Sequence, residues 1–298
     1  MTTRARRLLP SPAGQIRHCE RLAGVSTPAL TPVIGPAAAP RLHVMSFNLR
    51  VAHDGLPDPW AERRDAVAAI LRTELPAVVG TQEGLYDQVR DVAADLPSTY
   101  EWIGTGRRGG SHGEFMAVFF DGERLTAREY DNFWLSDTPE VVGSASWGNA
   151  VVRMATWVRF ADRATGGEFV LLNTHLDHAA ESAQRLGAEL VARRVAEFDS
   201  DLPVIVTGDF NVPAEASEPY DTLIGAGLVD TWSKAQERRT PVVATYHGYR
   251  PVRPDGARID WILVRPGTEV VAAAINTTTV DGRWASDHWP VHALLELG

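Results

Sequence analysis

The apolar run Pro203-Val-Ile-Val206 leads straight into Thr-Gly-Asp-Phe-Asn, so Asp209 and Asn211 stand two residues apart just beyond a segment built to be buried. Side chains two apart on an extended backbone point the same way, which lets both enter one cleft while Phe210 packs in the other direction. That is a site geometry rather than a core geometry. The same residues also suit a plain turn, because Gly, Asp and Asn favour turns and Pro213 follows. The other polar clusters of the chain decide between the two.

Glu83 follows the apolar run Ala77-Val-Val-Gly80 and needs a cation or hydrogen bonds to stay charged there. A hard divalent metal suits it, as does the N-terminal dipole of a following helix. Asn48, in Met45-Ser-Phe-Asn-Leu-Arg50, is either a satisfied core amide or an oxygen ligand for magnesium. Asn173-Thr-His-Leu-Asp-His178 falls one histidine short of the His-x-His-x-Asp-His zinc signature of the metallo-β-lactamase fold, since Asn173 occupies the first ligand position. The loss of a strong ligand argues against zinc. His175 is then a structural histidine or a donor to a phosphoryl oxygen. Asp260 is the natural carboxylate to orient His288, which leaves the adjacent Asp287 as a metal ligand or a cap.

Gly104-Thr-Gly-Arg-Arg-Gly109 matches the dinucleotide-binding pattern, but the following Phe115-Met-Ala-Val-Phe-Phe120 reads as a strand where a helix is required. A nicotinamide cofactor is excluded, and the segment is expected to be a hairpin loop whose Arg107 and Arg108 border the cleft. Among the nine tryptophans, Trp134, Trp147, Trp157, Trp284 and Trp289 fall near the site loops. Core packing accounts for most, with one or two available as a platform for a sugar or base.

These groups need rigid elements to hold them. Strands are expected over residues 42–51, 77–80, 169–173, 204–206, 259–264 and 291–295, helices over 58–75, after the second strand through about Leu96, and over 179–198, and hairpins between Tyr100 and Phe160. The polar clusters then sit at or just beyond the C-terminal ends of strands, where ligands of α/β sheets gather. The 298 residues and 44% hydrophobic content fit a globular protein, and no second composition boundary appears, so one α/β domain with mixed sheets is predicted over residues 41–298. Residues 1–40, with four prolines between Val25 and Pro40, are expected to form a disordered arm. They lack an unbroken apolar stretch for secretion, and the single Cys19 forbids an intramolecular disulfide, so a cytoplasmic location without membrane insertion is expected. A net charge of −9 with no basic block disfavours non-specific binding to a polyanion, although cations in a cleft could still bring phosphates to an acidic protein.

Taken in order, "SFNLR", "TQE", "NTHLDH", "GDFN", "RIDWIL" and "SDHWPV" resemble the endonuclease/exonuclease/phosphatase superfamily, which includes deoxyribonuclease I, exonuclease III, neutral sphingomyelinases and inositol polyphosphate 5-phosphatases. The resemblance runs from about Arg41 to the C-terminus. It implies a four-layer α/β sandwich, two mixed β-sheets packed face to face with helices outside, and magnesium-dependent phosphoester hydrolysis, with Mn²⁺ as a substitute ion. By motif, Asn48, Glu83 and Asp287 are implied as metal ligands and His175 and Asn211 as contacts to the scissile phosphate. Asp209 would orient or deprotonate the water, and Asp260 with His288 would form a dyad; which of Asp209 and His288 is the base stays open. Arg50 sides with deoxyribonuclease I, where exonuclease III carries an acid. Asn132-Phe-Trp-Leu-Ser-Asp-Thr-Pro139 and Arg153-Met-Ala-Thr-Trp157 are similar to a bacterial branch of small metal-dependent hydrolases. Arg50, Arg153 and His178 are the candidate substrate contacts. The substrate implied is a small sugar, inositol or nucleotide phosphate cleaved by a monomer. A nuclease on DNA or RNA and a non-catalytic binding module on the same fold are the competing readings.

Overall fold

The computed structural model describes residues 30–53 and 58–298. Among these the chain runs β1 (Arg41–Asn48), α1 (Trp60–Glu74), β2 (Val78–Gln82), α2 (Tyr86–Asp95), β3 (Tyr100–Ile103), β4 (Val118–Asp121), β5 (Leu125–Trp134), β6 (Met154–Asp162), β7 (Glu168–His175), α3 (Glu181–Glu197) and β8 (Val204–Asp209). It continues through α4 (Glu218–Gly225), β9 (Val229–Asp230), α5 (Thr231–Lys234), β10 (Glu237–Arg238), β11 (Asp260–Val264), β12 (Glu269–Ile275) and β13 (Val291–Glu296).

The strands form two mixed sheets, one in the order β10-β12-β13-β1-β2-β4-β3 and the other β5-β6-β7-β8-β11-β9. Each contains a parallel pair closed by a helix, β1-α1-β2 and β7-α3-β8, and the first sheet adds the short parallel pair β10 and β12. Alternation along the strands produces the layers. In β1, Leu42 and Val44 join Val78, Phe160, Leu171 and Ile262 between the sheets, while Met45 and Phe47 meet Val67, Ile70 and Val89 from α1 and α2. In β7 and β8, Leu172, Val204 and Val206 face Leu190 and Val191 of α3 and Leu223 of α4. Both faces of the central strands are therefore buried, which explains why they read as continuous apolar runs. The result is the four-layer sandwich expected.

Near the site the sheets are stitched by an amide. Asn173 Nδ2 donates to Thr81 O (2.8 Å) and Ala117 O (3.2 Å), and its Oδ1 accepts from Gln82 Nε2 (2.7 Å) and Thr207 Oγ1 (3.1 Å). The Gly-Asp-Phe-Asn segment does not begin as a turn, because Gly208 lies within β8, paired with Trp261 and Thr174. A Cβ there would stand 2.6 Å from Thr174 O, so the glycine serves close strand approach.

The disorder expected for residues 1–29 lies outside the described residues. Residues 30–40 depart from that expectation, because the N–H groups of Val33, Ile34 and Gly35 donate to the buried Glu74 carboxylate at 2.7, 3.1 and 2.9 Å. The packed domain thus begins before Arg41. No helix among the described residues is long and apolar enough to cross a membrane.

Candidate active site

A cleft of about 340 Å³ opens at the edge where β1, β2, β7 and β8 end, and Glu83, Arg107, Glu114, Arg153, His175, His178, Asp209, Asn211, Asp287 and His288 are among its lining residues. Four polar clusters do follow the C-terminal ends of strands. The other two do not: Asp260 opens β11, which runs antiparallel to β8 with Asp260 opposite Asp209, and Ser286-Asp-His288 precedes β13, antiparallel to β1. An antiparallel neighbour brings its first residue to the edge where its partner brings its last.

Asp209 and Asn211 reach the same cleft, but not by strand alternation. Asn211 has φ 56°, a left-handed conformation that swings its amide back so that its own N–H donates to Asp209 Oδ1 (2.9 Å). Phe210 packs away from the cleft, stacked on Trp261 at 4.2 Å. The Asn211 amide donates to Leu176 O (3.0 Å), which fixes its orientation, and to His175 Nε2 (2.8 Å). His175 Nε2 is therefore an acceptor here, and the proton belongs on Nδ1, which is buried with no partner among the described residues. Burial, then the charges of Arg153 and His288, push the His175 imidazole well below the usual histidine range. Donation from Nε2 to a phosphoryl oxygen requires the other tautomer.

Glu83 also lies in the left-handed region, with φ 65°. Its carboxylate accepts from Asn48 Nδ2 (3.0 Å) and Val51 N (2.9 Å). Burial raises its pKa, but His288 and those hydrogen bonds outweigh it and hold the group below the ordinary range. Asn48 bridges the sheets, since Nδ2 also donates to Asp209 Oδ2 at 2.9 Å. Its Oδ1, the expected metal ligand, accepts from Arg50 N (2.8 Å), so metal ligation by Asn48 requires its amide to rotate.

His288 Nδ1 faces Asp260 Oδ2 at 2.9 Å, and Nε2 lies 3.7 Å from Asp209 Oδ2. Burial opposes the imidazolium, but Asp260 and Asp209 raise its pKa well above the ordinary value. Asp209 moves the other way from a normal carboxyl: burial, only partly countered by His288 and joined by repulsion from Asp260 and Glu83, pushes it up to about 7. Burial also raises Asp287, with Glu83 adding to the rise and His288 and Arg50 opposing it.

The donor set fits a hard divalent cation. Glu83 and Asp287 supply oxygens to the cleft wall, and Glu83, His175 and Asp209 each place a ligand atom within 4.8 Å of the others. Burial, joined by repulsion from neighbouring carboxylates, shifts Asp209 and Asp287 upward, a cost to their charged forms that such a cation would offset.

Of the substrate-contact candidates, Arg153 and His178 line the cleft together, with Arg153 Nη2 3.2 Å from His178 Nδ1. Arg153 is buried, and its Nε lacks a partner among the described residues. Arg50 is not among the lining residues: it lies over the Tyr249 ring at 4.4 Å with Nε 3.8 Å from Asp287 Oδ2, where it positions the carboxylate. The Gly104–Gly109 segment is a loop between β3 and β4 with no helix after it, and Arg107 borders the cleft while Arg108 is exposed outside it. Asp177 is no metal ligand but a loop anchor, accepting from the N–H groups of Ala179 and Ala180 (both 2.9 Å) and Ala150 (3.0 Å). None of the five tryptophans lines the cleft; the aromatic that does is Tyr246. Tyr246 and Glu114 escaped the sequence reading, because neither belongs to a motif of the cleft.

Carboxylates, imidazoles and amides are thus gathered at one edge of two paired mixed sheets. The sequence profile of the Endonuclease/Exonuclease/phosphatase family matches residues 45–288, and the chain belongs to that family. A family protein from Bacteroides vulgatus is 34% identical with a TM-score of 0.81, over 87% of this chain and 99% of that one. The mannosyl-6-phosphatase Bt3783 of Bacteroides thetaiotaomicron is 33% identical with a TM-score of 0.80, over 85% of this chain and 99% of its own. D. rerio TDP2 bound to single-stranded DNA product, 18% identical with a TM-score of 0.66 over 86% of this chain and 99% of that one, shares the fold alone. No match was found among curated proteins.

Proposed function

We propose that this chain is a Mg²⁺-dependent phosphoesterase that hydrolyses a small phosphorylated molecule, with Mn²⁺ able to substitute. The observation that carries the reading is geometric: Asp260 Oδ2 lies 2.9 Å from His288 Nδ1, and the other ring nitrogen lies 3.7 Å from Asp209 Oδ2 in the cleft that Glu83 and Asp287 also line. Asp209 is the carboxylate placed to take a proton, its upward shift by burial being offset once a cation is bound, while Asp260 keeps His288 an imidazolium. Environments that drive neighbouring pKa values apart assign the base and the acid.

In this reading Asp209 takes a proton from the attacking water as the oxygen–phosphorus bond forms and the ester P–O bond breaks, and the departing alkoxide takes up a proton from solvent to leave as the alcohol. His288, steadied by Asp260, donates to a phosphoryl oxygen whose charge grows in the transition state. Asn211 and Arg153 hold the remaining oxygens, and His178 supports Arg153. Glu83 and Asp287 are the ligands for the cation, with Asn48 joining once its amide rotates. When bound, magnesium supplies Lewis-acid stabilisation of phosphoryl and leaving oxygens.

The similarity to a mannosyl-6-phosphatase over nearly the whole of that chain supports a sugar phosphate over DNA or RNA, since the nucleic-acid-bound relative shares only the fold. The test is turnover of paired chromogenic phosphate monoesters and diesters in Mg²⁺ and in EDTA, with Asp209→Asn as control. Mg²⁺-dependent monoester cleavage lost in the variant is expected. Equal turnover in EDTA, or in Asp209→Asn, refutes the assignment; diester cleavage alone returns the nuclease reading.

A further inference from the structure

Two features of the cleft are unused by the chemistry above. The first is an ion pair on its wall: Arg107 Nη1 lies 2.7 Å from Glu114 Oε2, and both side chains are mostly buried. The loop that carries the pair is pinned. Arg107 N donates to Glu114 O (2.9 Å), Trp134 Nε1 donates to Arg107 O (2.7 Å), and Gly106 bridges to Phe115. Arg107 Nε is nevertheless buried without a partner among the described residues. Burial raises the Glu114 carboxyl above the ordinary range despite the opposing charge of Arg107. An ion pair held this way is weak evidence for stability, because desolvation offsets most of its attraction. It does present a fixed donor and a fixed acceptor side by side.

The second feature is Tyr246, a cleft-lining ring that stays 45% exposed. Its backbone bridges to His288 and its ring centroid lies 5.0 Å from that imidazole, so the ring is held in register with the reacting centre.

These features select among alcohol groups by their chemistry. A second anionic group meets the Glu114 carboxylate and is repelled. A purely apolar group removes water from the carboxylate lone pairs and guanidinium N–H groups that the ion pair leaves unused, which is costly in a partly desolvated wall. Hydroxyls donate and accept, and two on neighbouring carbons match an adjacent acceptor and donor, while the C–H face of a saturated ring lies against an aromatic. We propose that Glu114, with Arg107 and Tyr246, makes the cleft selective for a phosphoester whose alcohol is a hydroxyl-rich ring, a pyranose or a cyclitol. This rests on the phosphoesterase reading above.

The test compares full-length wild type with Glu114→Gln, Arg107→Lys and Tyr246→Ala in Mg²⁺. The substrates are mannose 6-phosphate, glucose 6-phosphate, myo-inositol 1-phosphate, AMP and p-nitrophenyl phosphate. The kcat/KM of the best ring phosphate, divided by that of p-nitrophenyl phosphate, is expected to fall about tenfold or more in Glu114→Gln, mainly through KM. It is expected to fall in the same direction in Arg107→Lys and in Tyr246→Ala, the last an exposed position where folding is not at stake. If the variants lower both substrates by one common factor, or if AMP is the preferred substrate of the wild type, selection by this wall is overturned while phosphoester hydrolysis stands. A wild type that cleaves none of the five, p-nitrophenyl phosphate included, brings down the phosphoesterase reading and this proposal with it.

Discussion

Lowering the pH from 7.5 to 5 is expected to cost this fold about 4 kcal/mol through two histidines outside the cleft, on top of any change at the active site. His43 of β1 and His292 of β13 are fully buried, with Nε2 of the first 2.9 Å from Nδ1 of the second. Gly35 O, 2.8 Å from His43 Nδ1, can only accept, so His43 carries its proton on Nδ1 and offers Nε2 to the N–H of His292. Both rings are therefore neutral. Burial, joined by the neighbouring ring, pushes His43 down to about 3, and burial alone does the same to His292. In the unfolded chain both titrate near 6.5. Between pH 6.5 and 3 the unfolded state binds more protons, so stability is complete above 6.5 and falls as pH drops through this window. Each histidine gives a slope of about 1.4 kcal/mol per pH unit, and integrating from pH 7.5 to 5 gives about 2 kcal/mol apiece. Against a typical total of about 5–15 kcal/mol this is a large share. Other buried histidines add to the slope, so the diagnostic quantity is a difference. Urea unfolding followed by tryptophan fluorescence at pH 7.5, 6.5, 5.5 and 5.0 should show a shallower decline in His43→Gln, by about 1.4 kcal/mol per unit below pH 6. Parallel declines in wild type and variant would refute the account of a neutral buried pair.

Asp260→Asn removes the carboxylate that raises His288, so the alkaline limb of the kcat/KM profile should move to lower pH with a loss of about 10²-fold or more, measured by steady-state rates across pH. Asp177→Ala leaves the N–H groups of Ala150, Ala179 and Ala180 without their carboxylate acceptor, and should cost about 2–3 kcal/mol in chemical unfolding while raising KM through the loop that carries Val151 into the cleft. Added Mg²⁺ should raise the melting temperature of the wild type and of Asp260→Asn, but not of a Glu83→Gln, Asp287→Asn double variant, because relief of crowded carboxylates is a binding effect independent of turnover.

What could be read before any coordinates follows from what the backbone does to each residue. Strands buried on both faces, such as β2, β7 and β8, announce themselves as apolar runs, and α1 and α3 appear within two residues of their expected ends. The strand β12 was passed over because Glu-Val-Val-Ala-Ala-Ala-Ile has an alanine-rich centre that favours no strand on propensity alone; its pairing with β13 decides it. The site divides in the same way. Residue types singled out carboxylates, imidazoles and an amide that the fold does bring to one cleft, because chemistry on phosphates and cations draws on few side chains. Their directions could not be read off, since Glu83 and Asn211 are aimed by left-handed backbone, and Asp260 and His288 arrive from strands running the opposite way. Glu114 and Tyr246 mark the deeper limit. The machinery for cleaving a phosphoester is constrained by the reaction, whereas a wall that recognises the alcohol is constrained only by the shape of that alcohol, so its residues carry no motif until the fold brings them to the cleft.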